Sequence, residues 1–345
     1  MIRRQGWYVL AMAVAVGCTG TQYADTDTEN TDSDAGDSGE TDDTGETDDT
    51  GDINDDEAWV EELETVIENQ MAQANIPGIA AAVIRNGEVV WEEGFGWADY
   101  EAGREVTTDT PFFLASISKT FIAVALMQAR DSGMLELSDP VSDHLPFVVD
   151  NPKVDDEEIN ILHLATHTSG IKDNWDVLDE LYVFGADSPI SLGDFMAGYL
   201  VEGGEYYDST KNFGGSEPGE KFRYSNVAAS LSAYGIEVTS GEGFDDHCER
   251  EIFSVLEMDN THWHLADFDE DVIAVPYDVS GGEWVAIDHF GYPDYPDGQL
   301  RSSVSDLARF LATVASGGTL DGATILSEQS VEEMISDQIP ETKSG

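Results

Sequence analysis

A serine and a lysine stand three residues apart where a long apolar helical segment begins. Ser116 and Lys119 follow Pro111, a residue that favours a helix start, and the residues after Lys119 are almost wholly apolar. The pattern predicts a buried helix that ends at Ser132-Gly133. Positions i and i+3 share one face of a helix. The Lys119 side chain is therefore predicted to lie near the Ser116 hydroxyl.

This pair has two interpretations. A serine hydroxyl at a helix N-terminus lies at the positive end of the helix dipole, and a lysine beside it can exchange protons, which suits nucleophilic attack. The same spacing also arises by chance, as a capping serine beside a lysine whose ammonium reaches solvent. Further motifs have to decide between the two.

A second motif, Tyr-Ser-Asn at residues 224–226, follows Pro218-Gly219 in a predicted loop. A phenol beside a lysine can act as a base toward a serine hydroxyl, and the Asn226 amide can hydrogen-bond the lysine or a substrate. Alone, the motif is also compatible with a tyrosine that packs on a helix. Its order and separation relative to Ser116 and Lys119 favour the catalytic interpretation.

The apolar pattern predicts the remaining elements. It gives a helix from about Ala58 to Met71, then strands from Ile79 to Arg85 and from Glu88 to Trp97 joined by Asn86-Gly87, a strong hairpin signal. Further helices are predicted around residues 161–165, 192–200, 227–239, 244–255 and 305–315. Because strands and helices do not alternate regularly, we predict an α+β fold with an antiparallel sheet flanked by helices, plus a helical region.

The first 57 residues differ in composition from the rest. Residues 1–18 have a charged start, a short apolar block and an ending that resembles the bacterial lipoprotein box, which predicts an export signal peptide with lipid on Cys18. The alternative is a cleaved signal in which Cys18 has no role. Residues 19–57 hold 16 acidic residues and are predicted to form a disordered acidic linker. The folded domain is predicted at 58–345.

Charge and cysteine content restrict the partners. The chain carries 71 Asp and Glu against 15 Lys and Arg, a net charge of −56 at pH 7. This argues against nucleic acid and against an anionic membrane surface, so membrane contact is expected only through the lipid on Cys18. The one other cysteine, Cys248, is expected to pack in a helix, and no cofactor or metal site is predicted.

From about residue 60, the chain resembles the serine β-lactamase-related family, which includes class C β-lactamases, D-alanyl-D-alanine carboxypeptidases and family VIII esterases. The resemblance rests on the Ser-x-x-Lys and Tyr-x-Asn motifs and on three supporting stretches. These are His-Thr-Ser-Gly at 167–170, Leu-Ser-Asp-Pro-Val at 137–141 and Asp-Gly-Gln-Leu-Arg-Ser-Ser at 297–303. The resemblance implies a β-lactamase/transpeptidase-like fold.

The resemblance also implies roles for single residues. Ser116 would be the nucleophile, Lys119 and Tyr224 would share the general-base role, and Asn226 would position substrate or Lys119. Trp175 could line the substrate cleft, with ordinary burial as the alternative. The implied protein is an exported, envelope-located serine hydrolase that forms an acyl-enzyme with a small-molecule or peptide ester, amide or lactam. The alternative is a tethered envelope protein, weakly active or inactive, that binds peptidoglycan-like peptides.

Histidines offer a different nucleophile-activating group. His167 could form a Ser-His-acid set with Ser116, but the resemblance assigns a structural role to its loop. His262 and His264 could place two imidazoles on one strand face, yet no further ligand lies at a recognisable metal-binding spacing.

The family's third motif, Lys-Thr-Gly or His-x-Gly on a core strand, normally lies several tens of residues beyond the helix that contains Asp306. Lys343-Ser344-Gly345 has similar letters but comes too early and follows a turn. We therefore expect the sequence to be a fragment that lacks its C-terminal strands and one oxyanion-hole donor, with lower stability and activity than a longer form.

Overall fold

A computed structural model describes residues 55–155, 158–269 and 271–339. The predicted signal peptide with Cys18, most of the predicted linker and Lys343-Ser344-Gly345 lie outside the described residues. The first helix begins at Asp55, inside the segment predicted as linker. The helix thus begins three residues before the predicted domain start at 58, since a helix can begin a turn before its first apolar residue.

Ten helices lie in the described part of the chain. They are α1 (Asp55–Ala74), α2 (Lys119–Asp131), α3 (Ile161–Ala165), α4 (Trp175–Leu178), α5 (Leu192–Leu200), α6 (Asn226–Ser240), α7 (Phe244–Cys248), α8 (Ser254–Leu256), α9 (Val304–Ala315) and α10 (Glu328–Met334). A π-helical turn joins α7 to α8. The predicted helices are confirmed, while the short α4 and α10 carry too little apolar periodicity to be predicted. Within these residues, we find no helix with the length and apolar character needed to cross a bilayer.

The predicted hairpin is present as β1 (Gly78–Arg85) and β2 (Glu88–Asp99), and β3 (Arg104–Glu105) pairs with the end of β2. The connecting Asn86 and Gly87 have φ of 56° and 82°, the left-handed conformations that a two-residue hairpin turn requires. Side chains of β1 alternate between two faces. Ile79 and Ala81 pack toward α1, and Ala80 and Ala82 toward α9.

The other strands of the described residues are short and pair two by two, all antiparallel. They are β4 (Phe112–Phe113) with β9 (Arg301–Ser302), β5 (Val183–Phe184) with β8 (Phe290–Gly291), β6 (Tyr277–Ser280) with β7 (Glu283–Ala286), and β10 (Thr319–Leu320) with β11 (Ala323–Thr324). The predicted strand at His262-Trp263-His264 is wrong. His262 forms only an isolated bridge with Arg301, and the adjacent residues turn away.

The central core is built around α2 and α6. In α6, ten consecutive residues are buried, from Val227 to Ile236, and six of them are Ala, Ser or Gly. Small side chains allow neighbouring helices to approach closely, and α2 packs against this helix with its own apolar residues. Because α2 begins at Lys119 and α6 at Asn226, the packing brings the two helix N-termini together.

Candidate active site

Ser116 lies on a short 3₁₀ turn, Ala115–Ser118, that leads directly into α2. The α-helix therefore starts at Lys119 and not at the serine as predicted, because the chain must first turn out of β4. Ala115 makes this turn with φ of 47°, a left-handed conformation that is uncommon outside glycine. Facing it is Gly298, where an added Cβ would lie 3.4 Å from the Ala115 carbonyl carbon. The serine is thus presented on a tight, closely packed turn.

The Ser116 hydroxyl faces both predicted proton-transfer groups. The Tyr224 hydroxyl lies 2.9 Å from Ser116 Oγ, and Lys119 Nζ lies 3.3 Å from the same atom. Lys119 Nζ is also 5.0 Å from the centre of the Tyr224 ring. Three residues that the sequence places up to 108 positions apart therefore meet around one oxygen atom.

Lys119 has three hydrogen-bond acceptors, which match the three donors of an ammonium group. Besides Ser116 Oγ, these are Asn226 Oδ1 at 2.8 Å and the Asp297 carbonyl oxygen at 2.6 Å. Asn226 therefore lies where the prediction placed it, in contact with Lys119. The Asp297 carbonyl was not predicted, although it opens one of the stretches on which the family resemblance rests.

Asp173 fixes the N-terminus of α6. Its carboxylate accepts hydrogen bonds from the backbone N–H groups of Asn226, at 2.9 Å, and Val227, at 3.2 Å. It also accepts one from the Ser225 hydroxyl at 2.9 Å. Burial raises the pKa of Asp173, against the effect of these hydrogen bonds. Sequence reasoning missed this residue because it lies 53 positions before the first residue of the helix, outside any local capping pattern.

Two further carboxyl groups are buried near Lys119. The Asp294 and Asp297 side chains are 5% and 7% exposed, and burial raises the pKa of both. The positive charge of Lys119 acts in the opposite direction on each. Together with Asp173, these residues place three carboxyl groups near the ammonium group of Lys119. Burial of a further charge in this site would therefore cost free energy.

His167 does not act on the serine directly. In the described part of the chain, no hydrogen bond joins it to Ser116, and its ring instead lies 4.4 Å from the Tyr224 ring. Burial, reinforced by the charge of Lys119, lowers the pKa of His167 to about 4. The Ser-His-acid hypothesis therefore has no geometric support.

Trp175 begins α4 two residues beyond Asp173 and is 45% exposed, so the burial alternative for this residue is wrong. Its place in a substrate cleft stays a prediction.

His264 pairs with Asp245 at 3.2 Å and Asp187 at 3.8 Å. Cys248 is fully buried, as expected. Across the described residues, no group of three or more His, Cys, Asp or Glu side chains could hold a metal ion.

Known proteins resemble this chain in sequence and in fold. A family model described as Beta-lactamase matches residues 63–344. Protein flp of Staphylococcus aureus (strain NCTC 8325 / PS 47) is 25% identical over 252 residues, which are 73% of this chain and 48% of that protein. The chain thus spans about half the length of this curated relative.

Two solved structures have a similar fold. The octameric penicillin-binding protein homologue from Pyrococcus abyssi matches with a TM-score of 0.63 and 27% identity, over 80% of this chain and 60% of that chain. EstCE1, described as a hydrolase with promiscuous acyltransferase activity, matches with a TM-score of 0.63 over 80% of this chain and 76% of that one. Its 20% identity shows the fold alone.

Proposed function

The chain belongs to the beta-lactamase family, and from this premise we propose that it is a serine hydrolase acting through an acyl-enzyme on an ester, amide or lactam carbonyl. One observation carries the proposal. Ser116 Oγ lies 2.9 Å from the Tyr224 hydroxyl and 3.3 Å from Lys119 Nζ. A hydroxyl within hydrogen-bond reach of two proton-transfer groups is the arrangement that an activated nucleophile requires.

In the proposed reaction, the reactive form of the Tyr224 and Lys119 pair holds one proton fewer than a phenol beside an ammonium. Ser116 Oγ attacks the substrate carbonyl carbon while its proton passes to the unprotonated member of this pair. The Ser116 backbone N–H would donate to the developing oxyanion. The pair then gives the proton to the leaving oxygen or nitrogen, and the acyl group stays on Ser116. Water then attacks the acyl carbonyl and loses a proton to the same pair. The bond to Ser116 Oγ breaks, the pair returns this proton to Oγ, and the acid and the free serine are released.

Asn226 and the Asp297 carbonyl keep Lys119 in place during both steps. Their distances to Lys119 Nζ, 2.8 and 2.6 Å, leave the ammonium little freedom to leave the serine. Preorganised groups of this kind lower the barrier because they need no rearrangement when the proton moves.

The description of one similar protein supports the proposal. The Pyrococcus abyssi protein, 27% identical to this chain, is described as a penicillin-binding protein homologue. The substrate of this chain is accordingly proposed as a small molecule or peptide with an ester, amide or lactam bond.

The location is proposed from the sequence. The charged and apolar residues before Cys18 support export, and the acidic residues after it support a spacer between a lipid-anchored cysteine and the folded domain. In this proposal the protein belongs to the cell envelope, contacts the membrane only through the lipid, and does not bind nucleic acid.

The test is covalent labelling with a fluorescent fluorophosphonate, together with hydrolysis of a short-chain p-nitrophenyl ester. We expect labelling of the wild-type chain and its loss in Ser116→Ala. Ser118→Ala is the matched control, since that serine lies in the same turn and its buried hydroxyl has no partner among the described residues. Ser118→Ala should still be labelled.

An unlabelled wild-type chain that still binds a peptidoglycan-like peptide would support the non-catalytic alternative. Labelling that persists in Ser116→Ala would show that a different residue is the nucleophile. Either result would overturn the proposed mechanism.

A further inference from the structure

His167 occupies a backbone position that usually belongs to glycine. It follows Thr166, the C-cap residue of α3, and has φ of 55°. Its N–H donates to the Leu164 carbonyl at 3.2 Å, and the next N–H, of Thr168, donates to His163 at 2.8 Å. Helices often end with a left-handed residue at this point, and glycine adopts that conformation without strain. The helix end therefore does not explain an imidazole here.

His167 instead accepts hydrogen bonds from the residues immediately before and after Tyr224 in the chain. Its carbonyl oxygen accepts the Arg223 N–H at 2.7 Å, and its Nδ1 accepts the Ser225 N–H at 3.2 Å. Between these two bonds, the imidazole lies against the phenol ring, with 4.4 Å between ring centres and 34° between ring planes. The Phe222 ring touches the same imidazole, with 6.0 Å between centres.

The backbone around Tyr224 does little to fix the direction of its side chain. It lies in a stretch without regular secondary structure and is 45% exposed. An exposed tyrosine on a loop would ordinarily sample several rotamers. The orientation present places its hydroxyl 2.9 Å from Ser116 Oγ, and in this orientation the His167 ring lies against the phenol ring.

The imidazole must be neutral to serve in this way, because a protonated ring has no acceptor for the Ser225 N–H. Burial and the positive charge of Lys119 lower the pKa of His167 to about 4, so the ring is neutral at neutral pH. Its Nδ1 is then the acceptor, which places the ring proton on Nε2.

We propose that His167 is a positioning residue that holds the Tyr224 hydroxyl against Ser116 Oγ. The inference rests on the proposed function, since it gives Tyr224 a reason to be held. It assigns no proton transfer to His167 itself.

The experiment is a double-mutant cycle on the full chain, with ester hydrolysis as the readout. His167→Gly keeps the left-handed backbone and removes the imidazole, while Tyr224→Phe removes the hydroxyl that the imidazole is proposed to position. We expect His167→Gly alone to lower kcat about 10- to 100-fold with KM changed less than about twofold. In the Tyr224→Phe background, the same substitution should cost less than about twofold, because the positioned group is already gone.

Two further variants separate positioning from folding. His167→Asn keeps a side-chain oxygen that can accept the Ser225 N–H, and asparagine tolerates the left-handed backbone. It should restore part of the activity lost in His167→Gly. Glu257→Gly is the control, because Glu257 also has a left-handed backbone, φ 53°, at the end of α8 and contacts Arg309 far along the chain. It should leave kcat unchanged.

Equal losses from His167→Gly in both backgrounds would overturn the positioning role, and so would a loss that tracks a lowered thermal midpoint. If the wild-type chain hydrolyses the ester and His167→Gly hydrolyses it at the same rate, this inference alone is overturned. A wild-type chain that neither labels at Ser116 nor hydrolyses the ester would overturn the proposed function, and the inference with it.

Discussion

The Asp173 carboxylate accepts the backbone N–H of Asn226 at 2.9 Å, so one side chain fixes the first residue of α6 from a distant loop. That first residue carries the amide that binds Lys119. The stability of a helix N-terminus and the geometry of Lys119, the lysine of the proposed catalytic set, therefore depend on the same carboxylate.

Asp173→Ala should lower both stability and activity. The Ser225 cap of α6 remains, but two helix N–H groups lose their acceptor, which costs about 1–3 kcal/mol of unfolding free energy. Displacement of Asn226 should lower kcat roughly tenfold or more. Denaturant unfolding and ester hydrolysis measure the two effects. Ser191→Ala removes the cap of α5, where Ser191 accepts the Asp194 N–H, and should lower stability by about 1 kcal/mol without a change in kcat. Wild-type kcat in Asp173→Ala would contradict the link between the cap and the site.

His264 should make stability fall at alkaline pH. Burial opposes its charge, but hydrogen bonds to Asp187 and Asp245 raise its pKa to about 9. The folded state therefore holds the proton more tightly than the unfolded state, whose histidine has a pKa near 6.5. The stabilisation is complete below about pH 6.5 and is lost as pH rises through 9.

The measurement is the thermal midpoint of wild type and His264→Gln between pH 6 and 10. The difference between the two should shrink over this range. A constant difference across the range would show that the ion pairs with Asp187 and Asp245 do not raise the pKa of His264.

Trp175→Ala should raise KM while leaving the fold intact. The side chain is 45% exposed, so its removal should change the unfolding free energy by less than about 0.5 kcal/mol. If its ring contacts substrate, loss of about 1 kcal/mol of apolar contact corresponds to roughly a fivefold rise in KM. Ile335→Ala, which truncates a side chain 71% exposed beyond α10, is the control. Identical KM values in both variants would remove Trp175 from the predicted cleft.

Cys18→Ser should move the protein from the membrane fraction to the soluble fraction. The prediction follows from the charged and apolar residues before Cys18 and the acidic stretch after it. Cell fractionation followed by detection of the folded domain measures it. Cys248→Ala is the control, since that thiol is fully buried and inaccessible to a lipid-transferring enzyme. Unchanged fractionation of Cys18→Ser would leave simple secretion as the explanation.

Local patterns predicted the parts of the structure that depend on neighbouring residues. The Asn86-Gly87 turn gave the hairpin, and the three-residue spacing of Ser116 and Lys119 gave their contact. The apolar run after Ser225 gave α6 almost to the residue. The meeting of Tyr224 with Ser116 came only from the family resemblance, because no local rule relates residues 108 positions apart.

Other features of the site depend on tertiary contacts that local sequence patterns do not predict. The Asp297 carbonyl binds Lys119 through a backbone atom, which any residue type could supply, so the residue's identity carried no signal. His167 was recognised as part of a structural loop, but its contacts on both sides of Tyr224 depend on how that loop folds back. The 3₁₀ turn at Ser116 depends on β4 pairing with β9 immediately before it.

The three acceptors of Lys119 come from the turn before α2, from the start of α6, and from a carbonyl 178 residues along the chain. Contacts of such long sequence separation form late in folding, because closing long loops costs chain entropy before the contact is gained. An assembled site therefore requires that the segments bearing residues 119, 226 and 297 have already docked. Recovery of the proposed ester hydrolysis after dilution from denaturant should consequently report the last stage of refolding, after recovery of helical content.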